Sequence, residues 1–140
     1  MSPDGTWLFA AAHVYECLTS VPFHSAVALR FIEYYNTTLQ FHSTLAYLRD
    51  PPPGYQQPSV DVLEELEVIK TRVLQGFYQN QYAFQADVYR LAQSMHDDHV
   101  DLVAGIFHPF SFSAPFEISS VSRDGKEAPQ IYVTGRFPRL

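Results

Sequence analysis

Cysteine is nearly absent. The one thiol among the 140 residues is Cys17, so no disulfide can close within the chain and no thiolate zinc site can be assembled. Basic residues are scarce too: 9 Lys and Arg face 15 Asp and Glu, for a formal charge of −6. That balance, with no local basic cluster, repels a nucleic-acid backbone, and no nucleic-acid partner is expected. No run approaches the ~18 consecutive apolar residues that a bilayer span requires, so no membrane partner is expected. The N-terminal stretch lacks the basic start of a signal peptide, carries Asp4 and is interrupted by His13. It assigns no localisation.

What the chain does have is apolar and aromatic. Hydrophobic residues make up 46% and charged residues 17%, with eleven Phe and nine Tyr, and no repeat or low-complexity tract. A globular domain of this length buries about two-thirds of the surface its unfolded chain exposes. The aromatics serve either a bulky core or a surface that a partner covers.

Helical spacing dominates the first two-thirds. Trp7, Ala11, Val14 and Leu18 define a first helix, stopped by Thr19 to Pro22. Ala28, Ile32, Tyr35 and Leu39 define a second from about Ser25, with a continuation to Leu48 broken near Phe41. Asp50 to Pro58 holds consecutive prolines and is a loop. From Asp61 the stripe Val62, Leu66, Ile69 and Val73 marks a third helix, with Gly76 as its left-handed stop. Asn80 caps a fourth, striped by Phe84, Val88, Leu91 and Met95. One core should gather Trp7, Leu18, Ile32, Leu66, Ile69, Phe84, Val88 and Leu91. Beyond His99 the pattern changes, and an Asp124-Gly125 turn joins Ile118–Ser122 to Gln130–Val133 as a hairpin. The predicted fold is mainly α: a helical segment of about four helices over residues 1–105, then an incomplete β region over 106–140 with a short β-hairpin.

The stretches "YECLTSVPF", "TLAYLRDPPPGYQQPSVDV", "YAFQADVYRLAQSMHDDH" and "ISSVSRDGKEAPQIYV" occur in that order. Together they resemble the N-terminal part of fungal members of serine peptidase family forty-one, relatives of tail-specific and C-terminal-processing peptidases and of the chlamydial protease-like factor. The resemblance implies that 1–105 is the family's helical N-terminal domain and that 106–140 begins a PDZ-like module. Its Asp-x-His motif falls on Asp97, Asp98 and His99. His99 takes the position of the general base of the Ser-His-Glu members, whose domain with the nucleophilic serine, its oxyanion donors and the glutamate has no counterpart in these 140 residues. Family members usually carry glycine where Asp98 stands, so the turn is altered and a negative charge sits beside the base. Cys17 resembles a position that pairs with an earlier cysteine in the family; here it is expected as a buried or free thiol. The implied partner is a peptide or protein substrate, or a serine-bearing sister peptidase, with no cofactor and no metal. Family members are often secreted, and the implied role is proteolytic processing, including of precursor peptides of fungal ribosomal peptide natural products.

Three readings of "SMHDDHVDL" stand side by side. The first is the peptidase half-site, with His99 as base, Asp97 orienting it and His96 capping the helix end. The second is a metal site from His96, His99 and Asp97 or Asp101, for which H-x-x-H alone is a weak signature. The third is a polar helix terminus without chemistry. If the first holds, His99 should sit at the end of the fourth helix and face a cleft, or the edge left open by the missing serine domain, rather than bulk solvent, within reach of Asp97. The serines nearest it, Ser94, Ser111 and Ser113, sit in no nucleophile elbow, so a self-contained serine hydrolase is not expected. The chain thus reads as a truncated family member. An inactive peptide- or protein-binding module, or a small-molecule isomerase or cyclase using His99, are the alternatives. His13, His24, His42 and His108 read as structural or exposed, and Tyr55 of the proline loop either packs on its scaffold or faces a ligand.

Overall fold

The computed structural model describes residues 7–112 and 116–134, so Asp4, Ser113 and residues 135–140 lie outside it. Its chain forms two compact units, residues 1–109 and 110–140. Within the described residues the first unit holds five α-helices: α1 Ala11–Thr19, α2 Ser25–Leu39, α3 Leu45–Arg49, α4 Val62–Leu74 and α5 Gln81–Gln93. A single 3-10 turn, Gly105–Phe107, follows.

Two of these helices start on side-chain caps. Asp61 accepts the backbone N–H of Glu64 (3.2 Å) ahead of α4, and Asn80 accepts that of Ala83 (2.8 Å) ahead of α5. Each cap satisfies one of the orphan donors that a helix start leaves. Gly76, with φ +69°, closes α4 in the left-handed region, which costs glycine nothing.

The stripes meet as their spacing predicts. α4 packs against α2, α3 and α5, and its Val62, Leu66, Ile69 and Val73 are buried together with Ala28, Ile32, Tyr35 and Leu39 of α2. Phe84, Val88 and Leu91 of α5, with Met95 just beyond it, complete the cluster. Leu66 is fully buried, and sequestering a leucine side chain is worth about 1.5–3 kcal/mol. Many of the aromatics are interior: Phe23, Tyr78 and Phe84 pack ring against ring at 5.4–5.5 Å, and Phe31 stacks on Tyr35 at 5.4 Å. Others among the described residues leave apolar surface exposed, as at Phe41, Tyr34 and Phe77.

One core expectation is corrected. Trp7 is 69% exposed, because α1 begins only at Ala11 and residue 7 is not on its buried face. The stripe of α1 shrinks to Val14 and Leu18, which are buried where α1 meets α5 but stand outside the main cluster. The continuation of the second helix emerges as the separate α3, after a break at residues 40–44.

The second unit contains an antiparallel hairpin, β1 Glu117–Val121 and β2 Gln130–Thr134, with Ile118 opposite Val133 and Ser120 opposite Ile131. Asp124 shapes its loop by accepting the backbone N–H groups of Lys126 and Glu127 (both 2.9 Å), and Gly125 takes φ +72°. These two amide donors hold the Asp124 carboxyl below the usual carboxylate range.

Candidate functional site

α5 ends at Gln93, where Ser94 turns its hydroxyl back to the Leu91 carbonyl (2.7 Å). That bond makes Ser94 part of the helix end, and Ser111 is exposed. His96 then enters the left-handed region with φ +49°, and among the described residues it is the only non-glycine that does so. Asp98 has no left-handed backbone, and the distortion lies two residues earlier. The His96 side chain is exposed.

The next four residues form a turn, Val100 N–H donating to the Asp97 carbonyl (2.9 Å). Asp97 is its first residue, and its Oδ1 accepts the backbone N–H of His99 (2.8 Å), the local bond that aspartate favours in turns. The same oxygen lies 2.9 Å from His99 Nδ1. An ionised carboxylate only accepts, so this contact puts a proton on Nδ1 and leaves Nε2 of the neutral ring free to take one. The pairing lowers the Asp97 pKa. Its largest cause is the His99 backbone N–H, followed by the His99 ring and then by charge on His99 and His42.

The expectation that His99 turns away from solvent is corrected. Its side chain is 96% exposed, because the turn anchors the ring at one edge only and no described residue of the first unit lies over it. It stands at the rim of a cavity of about 450 Å³ shared with Tyr47, Leu48, Pro52, Tyr55, Met95 and Asp97. The proline loop reaches this cavity by design of its sequence. Tyr55 N–H donates to the Pro52 carbonyl (3.1 Å), with Pro53 and Gly54 between them and Gly54 at φ +88°, the arrangement of a type II turn. Tyr55 is left half-exposed and faces the same space as His99.

One member of the site was not legible in the sequence. His42, read there as structural or exposed, is 15% exposed, and its Nε2 lies 3.6 Å from Asp97 Oδ2, the oxygen that His99 does not use. The same nitrogen is 2.7 Å from Thr44 Oγ1. No motif could have signalled this, since the contact joins the break after α2 to the turn after α5.

The metal reading finds no geometry among the described residues: no group of three or more His, Cys, Asp or Glu side chains is placed to hold an ion. Cys17 is exposed and free on α1. An apolar cavity of about 250 Å³, lined by Phe31, Phe84, Val88 and Leu102 among others, contains no titratable side chain. No helix among the described residues is long and apolar enough to cross a membrane.

Over 84 residues, 60% of its length, the chain is 36% identical to the Peptidase S41 family protein phomP1' and 34% identical to the Peptidase S41 family protein phomP1, both of Diaporthe leptostromiformis. This similarity supports a relationship to the S41 peptidase family. The matched stretch amounts to 13% of each relative, so the chain spans a small part of their length. No protein-family profile matches the chain, and no solved structure does.

Proposed function

We propose that this chain supplies the histidine half of a serine peptidase site, with His99 as general base and Asp97 as the carboxylate that orients it. The observation that carries the reading is the 2.9 Å contact from His99 Nδ1 to Asp97, which leaves Nε2 turned outward as the proton acceptor. A base so poised needs a serine within hydrogen-bond reach and donors aimed at the developing oxyanion, and in this reading a serine-bearing domain provides both. The exposure of the ring fits an arrangement in which that domain covers it and excludes water, strengthening each electrostatic contact. The substrate is a peptide or protein, received beside Tyr55 and Tyr47. On the same family resemblance, the hairpin of the second unit is read as the opening strands of a PDZ-like module, and two strands alone are marginal without further pairing.

The finer role we infer is processing of precursor peptides in the assembly of fungal ribosomal peptide natural products, within the tail-specific and C-terminal-processing branch. Its support is the residue-level resemblance and the fungal source of the two relatives. The similarity lends no support to an inactive binding module or to a small-molecule isomerase. The test is addition of the protein to the part of an S41 peptidase that carries the nucleophilic serine, with peptide hydrolysis and fluorophosphonate labelling as readouts. Both should appear on mixing and fall by at least ~100-fold with His99→Ala, the low end of what a positioned general base contributes. Equal activity with His99→Ala would overturn the reading.

A further inference from the structure

We infer that His42 is a positioning residue of this site, holding the Asp97 carboxylate so that one of its oxygens is reserved for His99. The inference rests on the half-site reading above and adds to it a residue outside the Asp-x-His motif.

The two oxygens of Asp97 are divided between two imidazoles. Oδ1 accepts the backbone and ring N–H groups of His99 at 2.8 and 2.9 Å, while Oδ2 faces His42 Nε2 at 3.6 Å. A carboxylate on a turn can rotate about its last torsion, which is broad for aspartate, and rotation would take Oδ1 away from the His99 ring. A group held against Oδ2 from another element restrains that rotation. His42 is suited to this role because its own ring is fixed: Thr44 Oγ1 stands 2.7 Å from Nε2, and the His42 backbone N–H donates to the Leu39 carbonyl at the end of α2 (2.9 Å). The surroundings are graded in exposure, from His42 at 15% through Asp97 at 25% to His99 at 96%. The reacting ring is thus outermost, and the restraining one lies deepest. At 3.6 Å the contact with Oδ2 is at ion-pair range and too long for a hydrogen bond, so His42 acts on the carboxylate as a polar neighbour and a steric stop, while its Nε2 hydrogen bond goes to Thr44. Partners one shell removed from a reacting group orient it in the way that carboxylates orient metal-bound histidines, where their loss costs about 10–100-fold.

The experiment reads the ring nitrogens of His99 by NMR in the protein itself, in His42→Phe, His42→Gln and Asp97→Asn, singly and with the first combined with the last. His42→Phe keeps a ring but removes the polar nitrogen that faces Oδ2, and it should move the His99 Nδ1 signal in the same direction as Asp97→Asn. His42→Gln, whose amide can turn an N–H toward Oδ2, should restore most of the native signal. In the Asp97→Asn background His42→Phe should add nothing, since its effect runs through that carboxylate. In the mixing assay His42→Phe should lower hydrolysis about tenfold. If His42→Phe and His42→Gln leave the His99 signals native while Asp97→Asn shifts them, the role of His42 is overturned and the Asp97–His99 pair stands. If Asp97→Asn also leaves them native, it is the half-site reading that falls.

Discussion

His96 is the residue that the turn strains. It sits at φ +49°, two residues past the Ser94 cap, where a side chain costs roughly 1–2 kcal/mol that glycine does not incur. Histidine is one of the residues more often found there, and its ring is exposed, so nothing in its packing offsets that cost. His96→Gly should raise stability by about 0.5–1 kcal/mol, the relief of strain being partly offset by the greater freedom of glycine in the unfolded chain. Denaturant melts will read the change, and the Asp97–His99 contact should survive it, because that contact begins one residue later. A loss of stability would show that the His96 side chain carries something the backbone does not reveal. Asp97 itself behaves differently with acid. Its folded pKa is lowered, so the stability it contributes is present above its ordinary value of about 3.9 and is lost as pH falls below that through the folded value.

Between elements, the strongest polar junction ties α4 to α5 through Asp87. Its carboxylate accepts from Arg72 Nη1 and the Tyr78 hydroxyl through Oδ2, and from Arg90 Nη1 through Oδ1, each at 2.9 Å. The buried Tyr78 gives this junction its value, because a buried hydroxyl without an acceptor costs about 1–3 kcal/mol, whereas an exposed pair such as Arg90 with Asp87 contributes about 0–1. Asp87→Ala should therefore destabilise by about 1–3 kcal/mol and Arg90→Ala by less than about 0.5. Burial first, then the bond to Asp87, pushes the Tyr78 phenol up to about 12. A raised folded value means that the contribution is intact below the phenol's ordinary pKa near 10 and is lost as pH rises from there toward 12, a fall that Tyr78→Phe should flatten in thermal melts across that range. The helices themselves were readable because their information is local. The stripes Val62 to Val73 and Phe84 to Met95, and the caps Asp61 and Asn80, each act within a few residues of where they stand. Trp7 escaped that logic: spacing alone put it in line with Val14 and Leu18, but helix formation starts at Ala11, with no side-chain cap to extend it upstream.

For the whole molecule, what could be read from sequence divides at the same line. Asp97 and His99 stand two residues apart, so a turn brings them together and a motif can announce them. His42 and the cavity wall of Tyr47 and Tyr55 reach the same place only once α2, α3 and α5 have packed, and no local pattern encodes that. The exposure of His99 is likewise a property of the assembled surface. His99 is the outermost group of its site. The proposed base depends on Asp97 fixing the His99 ring with Nε2 free to accept a proton. The nitrogen-15 resonances of the His99 ring, recorded with the ring neutral, test it most directly. The expected result is a proton on Nδ1, a bare Nε2, and loss of that preference in Asp97→Asn. A ring protonated on Nε2 and indifferent to Asp97→Asn would contradict it.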